Sequence, residues 1–250
     1  MSKKNIIIFI FDYLKELFPD PETELHYSTP FQFVVAVMLS AQATDLQVNK
    51  VTNILFKIIK KSEDLLTMWF APFERAISSI NYYHSKAKHI YQTASLLMNN
   101  EKWITLWLRK GQVNDESKKN YIDWIPNTLE ELMKLPWVGV KTGKLIAHVL
   151  YNELYIAVDT HIHRVSNRLW ILLPYIPSKI KGTKRIGPEK TSELLEKLVP
   201  DSYKDHAHHS LVLFWRYYCK AKNPLCSECK LQKICKYYKT SVIASKTKQS

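Results

Sequence analysis

Glycine is scarce in this chain, with five in 250 residues. Glycine-rich phosphate loops of the Rossmann or P-loop kind, which need several glycines at fixed offsets, have nowhere to sit. Long apolar runs are missing too. The run "IIIFIF" (Ile6 to Phe11) stops at Asp12 and lacks a small-residue cleavage site, so it reads as the buried face of a first helix, not a leader. No segment approaches the roughly 20 apolar residues that cross a bilayer. A soluble, cytoplasmic protein with no membrane partner is expected. Acidic residues are the third shortage: 23 Asp plus Glu stand against 36 Lys plus Arg, a formal charge of +13. A solvated basic surface is the plain reading of that excess. A polyanionic partner, with nucleic acid ahead of membrane, is the favoured one.

Apolar residues at helical spacing fill much of what remains, as in "FQFVVAVMLS", "VTNILFKIIK" and "LLEKLVP". With so little glycine, this predicts an all-α protein. Pro19 and Pro21 end the first helix. A helical series then runs from Pro30 to Asn99, broken at "SAQATD" and "NYYHSK". Residues 101–127 are charged, carry tryptophan and predict only a partly helical connection. The apolar stretch "YIAV" leads to Asp159, where a helix is expected to begin near Thr160. A loop from Pro174 to Pro188 precedes two more helices and a cysteine-bearing segment, and a polar, frayed tail closes the chain.

Cysteine is confined to that segment, "CKAKNPLCSECKLQKIC", which contains Cys219, Cys226, Cys229 and Cys235 in a C-x6-C-x2-C-x5-C pattern. Four thiolates in one loop repel one another unless a cation neutralises them. A reduced cytosol argues against disulfides. Zn²⁺ and a [4Fe–4S] cluster both accept four cysteines, and the spacing alone leaves both open. The histidines of "DHAHHS" (His206, His208, His209) also invite a metal reading, but their spacing suits helix packing as well.

The stretch "LPWVGVKTG" sets Lys141 just after a tight turn and just before the apolar run "LIAHVLY". A free lysine has a pKa near about 10.4 and is almost wholly protonated at neutral pH. The positive end of a helix dipole and nearby apolar bulk would both favour the neutral amine. A neutral lysine can attack carbon and form a Schiff base. Taken alone, however, a solvated or phosphate-binding lysine is the commoner case. Asp159 changes the balance. As an N-cap it would be worth about 1 kcal/mol and would stay ionised with a fixed direction. A fixed anion beside a reactive amine is what chemistry through a cationic sugar requires.

"LPWVGVKTGKLIAHVL" resembles the helix-hairpin-helix of the endonuclease III family of DNA glycosylases, and "AVDTHIHRVSNRL" is similar to the aspartate segment that follows it. "LSAQATD" and the cysteine spacing match the same family, and the likeness runs from about Glu24 to Cys235. Two stretches, near 101–125 and 171–188, are longer than the family leads one to expect. The resemblance implies two helical domains with the active site in the cleft between them. Residues 28–153 would form a six-helix barrel with the hairpin. Residues 1–27 and 154–240 would form an iron-sulfur cluster domain, and residues 241–250 a flexible tail.

It implies a bifunctional glycosylase, a monomer, that removes oxidised pyrimidines from double-stranded DNA and cleaves the abasic site by β-elimination. Lys141 matches the Schiff-base lysine and Asp159 the catalytic aspartate. Cys219, Cys226, Cys229 and Cys235 match the [4Fe–4S] ligands. Gln42 matches a gap-filling glutamine, and Tyr82 falls where the family often has a leucine wedge. Val138 and Gly139 of the hairpin, with Lys220 and Lys222, would hold phosphates. Trp137 stands where the family has glycine. Gly139 is expected to carry the tighter bend, with the indole lying along the neighbouring helix.

Two other readings share much of this pattern. A monofunctional adenine glycosylase generally lacks a lysine at the position of Lys141. A non-catalytic helix-hairpin-helix protein would have no use for both Lys141 and Asp159.

Overall fold

The computed structural model describes residues 2–99, 125–169, 171 and 186–242. All regular structure among them is helical. Most of the two long stretches near 101–125 and 171–188, and most of the expected tail, lie outside the described residues. The chain divides into two compact units, one of Thr23–Tyr151 and the other of Met1–Glu22 with Asn152–Ser250.

In the first unit, helix α2 (Pro30–Ser40) is buried from Phe31 to Leu39. A helix apolar on every side belongs in a core. Thr29 caps it by accepting from the Gln32 N–H at 3.2 Å. Gln32 is the one polar residue in that buried run, and its side chain is fully bonded. Its Oε1 accepts from the Ser28 N–H and hydroxyl, both at 2.7 Å, and its Nε2 donates to the carbonyls of Phe56 and Ile59. Around α2 pack α3 (Asp45–Leu55) and α6 (Tyr83–Asn99), with α4 (Ser62–Thr67) and α5 (Phe70–Ala76) behind α6. The last pair is a hairpin, α7 (Leu129–Leu132) and α8 (Val140–Tyr151), and α8 also packs on α2. Thr128 caps α7, and a Cβ at Gly143 would come within 2.8 Å of the Leu129 side chain. Glycine there lets α7 and α8 approach closely.

The second unit surrounds a core of Ile10, Phe11 and Leu14 from α1 (Lys3–Leu17), with Ile162, Val165, Leu195 and Leu211 from the helices after residue 159. Those are α9 (Thr160–Arg168), α10 (Pro188–Leu198) and α11 (Asp201–Leu213). The segment into Asp159 has neither helix nor strand, and side chains bond its backbone. The Ile156 N–H donates to Glu196 at 3.0 Å, the Ser192 hydroxyl donates to the Ile156 carbonyl at 2.7 Å, and His208 Nδ1 lies 2.8 Å from the Ala157 carbonyl. His208 thus holds the approach to Asp159. Among the described residues, no group of three or more His, Cys, Asp or Glu side chains is placed to hold a metal ion.

Candidate active site

Asp159 stands just before α9 with extended backbone, φ −101° and ψ −176°. Its Oδ1 accepts from the N–H groups of His161 at 2.9 Å and Ile162 at 2.7 Å. The cap expected from sequence is therefore made. The two backbone donors fix the direction of the carboxylate.

Lys141 is the second residue of α8 and is exposed. The apolar bulk expected around it is not there, because the buried face of α8 is carried by Gly143, Lys144, Ile146 and Ala147. What lies within electrostatic reach is Asp45, in the first turn of α3. Burial pushes the Asp45 carboxyl above the usual range, and the Lys141 ammonium pulls it back. The sequence placed Asp45 in a motif without giving it this neighbour.

Gln42 and Tyr82 both occupy the left-handed region, at φ 56° and 59°, and both side chains are exposed, Tyr82 by 63%. Their turns are laced together. Asn81 Nδ2 donates to the Gln42 carbonyl at 2.9 Å, and Gln47 Nε2 to the Ser79 carbonyl at 2.5 Å. Such exposure leaves the Tyr82 ring outside the core.

The hairpin offers less to a phosphate than its sequence suggests. Val138 is buried, and its N–H donates to the Leu135 carbonyl at 3.1 Å. Gly139 is exposed, with open space where a Cβ would stand. The positive φ falls on Trp137, at 64°, and not on Gly139, which corrects the expected division of the bend. The indole lies against His89 of α6, ring centroids 4.6 Å apart and edge to face. Left-handed backbone costs a non-glycine residue roughly 1–2 kcal/mol. An edge-to-face aromatic contact returns about 0.5–1.5 kcal/mol. The two nearly cancel, so Trp137→Gly is expected to melt within a few degrees of wild type. It should bind an abasic-analogue duplex within about threefold at fixed salt, well short of the tenfold that ~1.4 kcal/mol represents. A larger loss of affinity in a protein that still melts normally would make the indole a DNA contact.

The four cysteines share one small region. Burial pushes the Cys229 thiol up to about 11, and the thiols of Cys235, Cys219 and Cys226 add to the effect. Cys226 and Cys235 shift upward for the same reasons, burial first. The Arg168 guanidinium of α9 offsets part of the rise at Cys226 and Cys235. Arg168 Nη1 reaches the Cys219 Sγ at 3.4 Å and donates to the Lys220 carbonyl at 2.8 Å, while Nη2 donates to the Ala221 carbonyl at 3.2 Å. Its guanidinium sits 4.0 Å over the Tyr237 ring, and Arg164 Nη2 donates to the Cys219 carbonyl at 3.2 Å. One short helix therefore carries Asp159 at its start and grips the cysteine loop from its later turns. Neither arginine was singled out from sequence. Lys220 and Lys222 are exposed on that loop.

Residues 35–201 match the HhH-GPD superfamily of base excision DNA repair proteins, a span that includes Gln42, Tyr82, Lys141 and Asp159. The chain is 34% identical over 240 residues to endonuclease III of Rickettsia felis, covering 96% of this chain and 98% of that one. It is 37% identical over 230 residues to endonuclease III of Bacillus subtilis, covering 92% of this chain and 91% of that protein. Its fold is similar to that in a structure of a trapped endonuclease III–DNA covalent intermediate. The TM-score is 0.76 at 33% identity, with 96% of this chain and 98% of the other covered.

Proposed function

The chain belongs to the HhH-GPD superfamily of base excision DNA repair proteins, and we propose that it excises oxidised pyrimidines from duplex DNA and then cuts the strand through a Schiff base on Lys141. It is a DNA glycosylase and abasic-site lyase of the endonuclease III kind. The observation that carries the residue assignment is an exposed primary amine in the first turn of the helix leaving the hairpin.

A base inside a duplex is out of reach, so the nucleotide must leave the stack at a cost of a few kcal/mol. Gln42 and Tyr82, exposed on two linked turns, occupy the gap and stack on the opposite strand. The Gly139 backbone, Lys220 and Lys222 hold phosphates. The Lys141 amine attacks the sugar C1′ and the glycosidic bond breaks, the electron pair of that bond and the proton given up by the amine leaving with the base. The Asp159 carboxylate stabilises the positive charge that develops on the sugar. Ring opening gives the imine. Loss of a C2′ proton then expels the 3′ phosphate, and water frees Lys141. Excision and cleavage of a duplex carrying an oxidised pyrimidine test this reading. A product that is abasic but uncut would indicate a monofunctional enzyme, and no product a binding protein.

Cys219, Cys226, Cys229 and Cys235 would hold a [4Fe–4S] cluster, which neutralises the four thiolates and fixes the basic loop when bound. Arg164 and Arg168 tie that loop to the helix that Asp159 begins. Anaerobically purified protein is expected to be yellow-brown and to contain about four iron atoms per chain. Stoichiometric zinc without iron, from cells with adequate iron, would contradict the assignment. No helix among the described residues is long and apolar enough to cross a membrane. The reading places the enzyme in the cytoplasm as a monomer acting on damaged or abasic double-stranded DNA.

A further inference from the structure

Lys86 is 2% exposed, far too deep for a lysine that merely decorates a helix. Its ammonium donates to the Leu39 carbonyl at 2.8 Å and to the Ala41 carbonyl at 2.6 Å. Both acceptors lie where α2 ends, at the negative pole of its dipole. Burial pushes the Lys86 pKa down only to about 8, so the group is an ammonium at neutral pH.

The second acceptor belongs to a tight turn. Ala41 has φ −57° and ψ 113°, Gln42 has φ 56°, and the Ala43 N–H donates to the Ser40 carbonyl at 3.1 Å. Those values define a type II turn, whose third position favours glycine or asparagine. A type I turn spans the same ends with the central peptide flipped and with negative φ at that position, where glutamine is at ease. The central peptide here is Ala41–Gln42, and its carbonyl is the one Lys86 holds. Flipping it would carry that oxygen away from the ammonium. Lys86 lies in the first turn of α6, and its own N–H donates at 3.0 Å to the carbonyl of Tyr82, the residue just before that helix.

We propose that Lys86 is a positioning residue for DNA engagement: by holding the Ala41 carbonyl it keeps Gln42 in its left-handed, outward conformation and couples that turn to Tyr82. This rests on the gap-filling role given to the two turns above. The local sequence would otherwise relax, because neither Gln42 nor Tyr82 is a residue that prefers positive φ.

The test compares borohydride trapping on two substrates, an abasic-site duplex and the same abasic strand alone. The single strand needs no base pairs opened and no gap filled, so it reports the lysine chemistry by itself. Lys86→Met, nearly isosteric and without donors, is expected to lower the duplex-to-single-strand ratio of trapping rates at least tenfold. In a Gln42→Ala background the same change is expected to lower it no more than about twofold, because the residue Lys86 acts through is already gone. Asn81→Ala loosens the same turn without disturbing a buried site and is expected to lower the ratio about threefold. Wild-type protein trapped on neither substrate would sink the lyase reading itself. Trapped wild type with an unchanged ratio in Lys86→Met would overturn the proposal. An equal fall in both backgrounds would also overturn it, as would an unchanged ratio in Asn81→Ala beside a Lys86→Met that does not fold.

Discussion

Lys141→Ala is expected to lose borohydride trapping with abasic-site DNA by at least about a thousandfold, which is ~4 kcal/mol of transition-state stabilisation at 1.4 kcal/mol per decade. DNA affinity should stay within a few-fold, because the hairpin backbone and the turns of Gln42 and Tyr82 do not depend on this side chain. The fold should be untouched, since Lys141 is exposed and the packed face of α8 is formed by other residues. Lys144, one turn further on, is buried and is no ready substitute. Trapping at the wild-type rate would move the nucleophile elsewhere.

Asp159→Asn is the second large effect. The amide oxygen still accepts from His161 and Ile162, and asparagine caps a helix about as well as aspartate, so the melting temperature should shift by only a few degrees. What is lost is the negative charge facing the developing cation. A single preorganised electrostatic contact is typically worth about 10²–10³ in rate, so base excision should fall by that much. Trapping on a preformed abasic site should persist in part, because the C1′ carbon is already electrophilic there. Full excision by a stably folded Asp159→Asn would reduce this residue to a helix cap.

The residues of the proposed chemistry were legible because each belongs to a short contiguous pattern. The turn before α8 announces Lys141, the apolar run before α9 announces Asp159, and the cysteines lie within 17 residues of one another. The all-helical fold was legible from glycine scarcity and apolar spacing. What the chain did not disclose depends on partners distant in sequence. Lys86 reads as an ordinary surface lysine until its contacts 45 and 47 residues away appear. Arg168 meets the cysteine loop more than 50 residues downstream. The expected dehydration of Lys141 did not appear, since the apolar run after it faces inward and leaves the first turn open. The bend expected at Gly139 fell on Trp137, where contact with His89 offsets the strain.

The central claim is that the Lys141 amine forms the covalent bond to DNA. Wild-type protein reduced with borohydride on an abasic-site duplex, then digested and mapped by mass spectrometry, tests it directly. The account predicts a deoxyribose-phosphate adduct on the peptide containing Lys141 and on no other. An adduct on the N-terminal amine or on another lysine, with the Lys141 peptide unmodified, would contradict it.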